Sequence, residues 1–186
     1  MNRINFLIEY FKSPRTIGAV APSSKKLAEK MVGSINFKSA QCIIEYGPGT
    51  GVFTDKLIKA KKRDTILILA EYNKEFCKQL GEKYGDYDNV VIVNDSAENI
   101  YKYLGEYKIE KVDYIVSGLP FTSLPKNVSN KILDNTRNIL KEDGIFITFQ
   151  YTLLKKGYIS SYFKDISYER VILNVPPAYV LKCQNM

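Results

Sequence analysis

Cys42-Ile43-Ile44-Glu45-Tyr46-Gly47-Pro48-Gly49-Thr50-Gly51 decides how this chain folds. It is a short apolar run that ends in an acid and then in a glycine-rich turn. Residues 52–60 continue with helical spacing, their apolar side chains at Val52, Phe53, Leu57 and Ile58. A strand, a tight loop and a helix in that order aim backbone N–H groups at an anionic ligand group. The glycines remove side chains that would hold the ligand away from the backbone. The segment predicts a site for a nucleotide-like small molecule.

Two cofactor classes compete for that loop. A dinucleotide fingerprint reads G-x-G-x-x-G, its third glycine letting the helix pack closely on the strand. Counted from Gly47, that glycine falls at position 52, which is Val52. The chain instead has G-x-G-x-G preceded by Glu45. This E-x-G-x-G-x-G form resembles motif I of class I S-adenosylmethionine (SAM) methyltransferases. The resemblance implies that Glu45, Gly47, Pro48, Gly49, Thr50 and Gly51 bind SAM, with the loop backbone against its methionine part. The bland alternative is a glycine turn that only joins a strand to a helix.

The downstream spacing favours the ligand site. Residues 65–70 form another buried-strand pattern, followed by Glu71-Tyr72. An acid at the end of a second strand can accept both ribose hydroxyls of an adenosine. Glu71 lies 22 residues after Gly49, close to the separation of about 20 expected for such an acid. A third strand, 89–94, precedes Asp95-Ser96-Ala97. That position resembles the one that meets the adenine amino group in SAM enzymes. Glu71 and Asp95 also read as a helix N-terminal acid and an N-cap, roles compatible with ligand binding.

The 186 residues suit one domain. Of these, 45% are hydrophobic and 25% charged, an ordinary globular balance. No apolar run is long enough for a transmembrane helix, and the N-terminus lacks the pattern of a secretory signal. Three cysteines without a C-x-x-C fit reduced thiols and a cytoplasmic location. There is no histidine, which excludes Ser-His-Asp and Cys-His catalysis and argues against a zinc site. No metal is expected. The net charge of +7 resides at the two ends: +4 within residues 1–30 and +3 within residues 152–186. An anionic partner is implied, either nucleic acid or an anionic lipid surface.

Residues 3–11 read as an amphipathic helix, with Ile4, Leu7, Ile8 and Phe11 on one face. Pro14 stops it. Ser23 or Ser24 is expected to cap a second helix ending near Val32, with Gly33 as its stop. Beyond it, strands are expected near 42–46, 65–71, 89–94, 112–117, 144–151, 167–175 and 178–183. Helices are expected near 52–62, 73–84, 97–104, 126–141 and 156–163. This alternation argues for an α/β fold with ligand at the carboxyl ends of parallel strands. Seven strands closed by an antiparallel hairpin resemble the Rossmann-like sheet of class I methyltransferases. The expected layout is N-terminal helices in residues 1–38, as a membrane or substrate lid, on a SAM-binding domain of residues 39–186.

The fourth predicted strand ends in Ser117-Gly118-Leu119-Pro120-Phe121. The rRNA adenine dimethylases, which share E-x-G-x-G-x-G, place N-L-P-Y or a close relative here. An amide and a backbone carbonyl there hold the adenine amine, and an aromatic ring stacks on the base. This chain has serine for the asparagine and keeps the aromatic. It is more closely similar to the bacterial phospholipid N-methyltransferases. Arg15 and Gly18-Ala19-Val20-Ala21-Pro22-Ser23-Ser24 resemble their R-x-x-G-A-x-A-P-S-S stretch. Ser117 to Pro120 match S-G-L-P, and Arg170 with residues 174–178 matches R…N-x-P-P-A. The resemblance implies SAM-dependent methylation of the phosphatidylethanolamine amine. It places Ser117, Gly118 and Leu119 at SAM and Pro120 and Phe121 at the acceptor.

A lipid amine is mostly protonated at neutral pH and must lose a proton before attack. Without histidine, the base is a tyrosine, a carboxylate or water. Tyr151, after the fifth predicted strand, is the candidate for positioning the amine. Arg170 can hold a lipid phosphate, and Arg15 can do so from the N-terminal side. The 3–11 helix, with basic neighbours, suits an interfacial helix of a peripheral membrane enzyme, or an ordinary helix over the pocket. Two other readings remain open. One is an rRNA adenine methyltransferase, against which stand Ser117 and the use of residues after 151 to complete the sheet. The other is a SAM protein acting on another small amine, or on none.

Overall fold

The computed structural model describes residues 22–121, 123–153, 156–172, 174 and 177–185. The expected 3–11 helix, Arg15 and most of the expected lid lie outside the described residues. The chain order is α1 (Pro22–Val32), β1 (Cys42–Tyr46), α2 (Thr54–Ala60), β2 (Ile66–Ala70), α3 (Lys74–Tyr84) and β3 (Val90–Val93). A 3-10 turn (Ala97–Asn99), α4 (Ile100–Glu106), β4 (Val112–Ser117), α5 (Lys126–Ile139) and β5 (Leu140–Gln150) follow. The described chain closes with α6 (Lys156–Ser160), β6 (Asp165–Val171) and β7 (Ala178–Gln184).

The seven strands form one sheet in the order β3-β2-β1-β4-β5-β7-β6. β1 pairs in parallel with β2 and β4, and β7 is antiparallel to both β5 and β6. This is the α/β class I methyltransferase sheet expected from the sequence. The β1, β2 and β4 strands read as near-continuous apolar runs because helices cover both faces. One face buries Ile44, Ile68, Ile115 and Phe146 against α4, α5 and α6. The other buries Ile43, Leu67, Val116 and Ile147 against α1, α2 and α3. Strand alternation sends neighbouring side chains to opposite layers. The odd positions 43 and 45 therefore face α1–α3, and the even positions 44 and 46 face α4–α6.

Some expected boundaries shift. The second helix begins at Pro22, so Ser23 and Ser24 lie inside its first turn and not ahead of it. Proline at the first helical position gives up an N–H that has no intrahelical partner there. The helix after the glycine loop starts at Thr54, not 52, because turn geometry persists through Phe53. β5 begins at Leu140, directly from α5. The expected helix reaches 141 and the expected strand begins near 144, with Lys141-Glu142-Asp143-Gly144 between. That stretch is a tight irregularity, and the β4–β5 ladder shifts register between Val112 and Tyr114. Among the described residues, no helix is long and apolar enough to cross a membrane.

Candidate active site

Parallel strands β1, β2, β3 and β4 all deliver their carboxyl ends to one edge, where the polar loops gather. Gly47, Gly49 and Gly51 have φ of 63°, 56° and 83°, the left-handed region that glycine adopts without strain. The three are not equivalent. A Cβ at Gly49 would meet nothing within 4 Å. The backbone there borders open space of the kind a ligand fills. A Cβ at Gly51 would stand 2.7 Å from the Tyr84 hydroxyl. That hydroxyl has one proton, shared between Asp55 at 2.8 Å and the Gly51 carbonyl at 3.2 Å. Gly51 is therefore required by packing against α3, a role its place in the motif does not announce.

Glu45 has a similar role. It is fully buried on the α1–α3 face, and its Oε2 accepts a 2.7 Å hydrogen bond from Thr54 at the start of α2. Burial pushes its carboxyl up to about 8, against the opposing pull of the Thr54 bond. Its Oε1 has no partner. Glu45 thus ties β1 to α2 beneath the loop and shapes the loop without lining the cleft.

Glu71 braces the loop from the second strand. Its Oε2 accepts from the Gly49 N–H at 2.9 Å and its Oε1 from the Asn73 N–H at 2.7 Å. Burial raises its carboxyl above the ordinary range, while the backbone bonds oppose that rise. Each oxygen keeps a second lone pair for a ligand hydroxyl. Asn94 fixes the same turn by donating to the Glu71 and Tyr72 carbonyls. After β3, Asp95 accepts from the Ser96 N–H, the Asn99 amide and the Tyr103 hydroxyl. Burial alone would raise the Asp95 carboxyl, but these bonds and the Lys102 ammonium hold it below its ordinary value. It stays ionised as a fixed acceptor.

A cleft of about 370 Å³, open to solvent, lies between these loops. Gly47, Ala70, Tyr72, Asp95, Ser96, Ala97 and Leu119 line it, with Leu124, Val128 and Ile132 from the α5 side. It combines an apolar floor, a glycine backbone on one wall and the Asp95 carboxylate at the end of β3, with Glu71 buried behind the loop. These residues fit an adenosine carrying a cationic amino-acid chain. The three α5-side residues were missed in the sequence, although Val128 and Ile132 keep the i, i+4 spacing of a buried helical face.

The fourth-strand signature meets this cleft through Leu119. The Gly118 N–H donates to the Tyr46 carbonyl at 2.9 Å, and the Leu119 side chain lies close over Gly47. The two loops are therefore one unit. Ser117 is fully buried, and its hydroxyl accepts from the Leu119 N–H within its own turn. Phe121 is only 2% exposed and packs edge-on against Phe146, centroids 6.0 Å apart. Its ring belongs to the core, which corrects the expectation that it stacks on an acceptor.

Tyr151 also departs from expectation. It lies edge-on to Phe149, which in turn meets Phe53 at the start of α2. These aromatic contacts draw it to the α1–α3 side, away from the cleft lining. Burial raises its hydroxyl above the ordinary value, so at neutral pH it carries its proton and is no base. Arg170 is exposed on β6, its guanidinium 5.9 Å from the Tyr179 ring centroid. Pro48 is buried in the glycine turn, while Thr50 is exposed at its tip. Pro120 begins the turn after β4, its carbonyl accepting from the Ser123 and Leu124 N–H groups.

Comparison with known proteins adds three findings. Residues 22–159 match the family model described as ribosomal RNA adenine dimethylase. An ornithine lipid N-methyltransferase from Singulisphaera acidiphila is 28% identical over 97% of this chain and 95% of its own. A ribosomal RNA small subunit methyltransferase A from Borreliella afzelii is 30% identical over 60% of this chain, but over only 37% of its own length. In fold, the chain is similar to the N-methyltransferase NodS from Bradyrhizobium japonicum, solved with S-adenosyl-L-homocysteine. The TM-score is 0.66 at 13% identity, covering 89% of each chain.

Proposed function

This chain belongs to the ribosomal RNA adenine dimethylase family and is a class I SAM-dependent methyltransferase, and we propose that it methylates the amine of a lipid head group, phosphatidylethanolamine and its partly methylated forms in particular. The observation that carries this reading is the end-to-end correspondence with the ornithine lipid relative, 97% of one chain and 95% of the other. The rRNA relative matches over a minor part of its own length. The acceptor side agrees. Stacking on adenine needs a free aromatic face. Here Ser117 caps its own turn, and the Phe121 ring is locked against Phe146.

The cofactor residues in this reading are the Gly47–Gly49 backbone, Glu71, Tyr72, Asp95, Ser96, Ala97 and Leu119. SAM, when bound, supplies a methyl on a positively charged sulfur, an electrophile that asks only for a neutral, aligned amine. The chain provides the alignment, which can contribute roughly 7–11 kcal/mol to lowering a bimolecular barrier. Arg170 offers a guanidinium fork to the lipid phosphate. With no histidine in the chain, the amine proton passes to solvent at the lipid–water boundary. The enzyme works from the membrane surface as a peripheral protein, the sequence-derived role of residues 1–38.

The test is a three-way label transfer. Purified protein is incubated with methyl-labelled SAM and, separately, phosphatidylethanolamine vesicles, ornithine lipid vesicles and total RNA. Label in a lipid fraction is the expected outcome. Label confined to RNA would return the chain to the activity for which its family is named.

A further inference from the structure

Gln150 is the last residue of β5 and is only 4% exposed. Neither its amide nitrogen nor its amide oxygen has a hydrogen-bond partner. A buried side-chain amide offers two donors and one acceptor, and leaving all of them unmet costs stability. Such a group calls for an explanation beyond the fold. Its place supplies one. Phe146, Thr148 and Gln150 alternate onto the α4–α6 face, the face that carries the cleft. Thr148 pairs with Ser117 in the β4–β5 ladder. Gln150 therefore lies two residues beyond the end of β4, beside the Gly118–Pro120 turn. Across the sheet, Gln150 pairs with Tyr179, and Tyr179 pairs with Arg170. Amide, ring and guanidinium make one row along the carboxyl edge. Neighbouring strands sit about 4.8 Å apart, so the row spans about 10 Å.

We infer that Gln150 holds the methyl acceptor, its side-chain carbonyl accepting an N–H of the neutral lipid amine while the amine lone pair stays free for the methyl. This rests on the lipid-amine reading above and deepens it. The Ser117 hydroxyl is already engaged by the Leu119 N–H, whereas the Gln150 amide has no partner. The row also orders the head group: amine at Gln150, phosphate toward Arg170. A purely structural Gln150 would be indifferent to how many N–H bonds the amine carries. A primary amine has two N–H bonds to offer, a secondary amine one and a tertiary amine none. Dependence on Gln150 must fade as methyl groups accumulate.

The experiment compares the wild type with Gln150→Met, which keeps the length and removes the amide. The acceptors are vesicles of phosphatidylethanolamine and vesicles of its N,N-dimethyl form. Affinity for S-adenosylhomocysteine and the melting temperature are measured alongside. The expected result is a loss of about tenfold or more in kcat/KM on phosphatidylethanolamine and no more than about threefold on the dimethyl lipid. The S-adenosylhomocysteine affinity is expected to hold and the melting temperature to hold or rise, since the unmet amide supports nothing in the fold. Equal effects on both lipids, whether a shared loss or none, would overturn the inference and leave the lipid reading standing. A wild-type protein that methylates neither lipid would remove the lipid reading, and this inference with it.

Discussion

Gly49 and Gly51 look alike in the motif and answer to different forces. Alanine at either position must adopt the left-handed region, at roughly 1–2 kcal/mol. At Gly49 that is the whole structural cost, because open space surrounds the added Cβ. Gly49→Ala should lower stability by about that amount and weaken S-adenosylhomocysteine binding far more, as calorimetry would show. Gly51→Ala adds a clash with Tyr84. Tyr84→Phe removes the clashing hydroxyl, so the double variant should be more stable than the two single losses summed would predict. Additive losses would mean that Tyr84 does not limit position 51. Glu45 gives a pH signature. Its folded value of about 8 lies above the ordinary glutamate value of 4.5, so the native state holds a proton that the unfolded chain releases. Stability contributed by that proton is full below about pH 4.5 and falls as pH rises toward 8. Glu71 shifts in the same direction. Glu45→Gln should therefore flatten, without abolishing, the fall in melting temperature between pH 5 and pH 8.

At the scale of elements, the opposite edge of the sheet is held by a different device. Asp113 on β4 accepts from the Gln41 and Cys42 N–H groups at 2.9 Å and pairs with Lys141 on β5 at 2.6 Å. One carboxylate thus pins the starts of β1, β4 and β5. Burial would raise its carboxyl, but the Lys141 bond and the two backbone bonds hold it below its ordinary value. Its contribution is present above the unfolded value and is lost as pH falls through the folded one. Asp113→Ala should cost about 2 kcal/mol in urea titrations at pH 7, leaving two backbone donors unmet. Residues of this kind were invisible in the sequence, since Asp113 reads as any polar position in a strand. The strands themselves were legible because burial on both faces writes long apolar runs. The acids after β2 and β3 were legible from spacing alone. Phe121 and Tyr151 misled because an aromatic at a strand exit looks the same whether its ring turns outward or inward. Phe146 and Phe149 decide that, and only the fold brings those rings together.

For the molecule as a whole, the distribution of charge and the proposed substrate meet at the membrane. The excess of +7 is confined to residues 1–30 and 152–186, so an anionic surface attracts the two ends and leaves the middle of the chain neutral. Residues 1–12 hold two of those cations, Arg3 and Lys12, beside the apolar positions Ile4, Leu7, Ile8 and Phe11. Each cation near an anionic bilayer contributes about 1 kcal/mol, and insertion of the apolar positions adds to it. Removing residues 1–12 should therefore weaken binding to anionic vesicles by roughly fivefold or more, since Glu9 leaves with the two cations and about 1 kcal/mol is lost from net charge alone. The binding that remains should rest on the other cations and disappear in high salt, where screening acts within a few ångströms. Affinity for S-adenosylhomocysteine should be unchanged, because the cleft is built from residues 47–132. Sedimentation with vesicles at two salt concentrations, beside calorimetry of the same preparations, separates the two terms. A truncated protein that sediments as the full chain does would place the membrane contact elsewhere, on the β6–β7 edge where Arg170 and Ile172 are exposed.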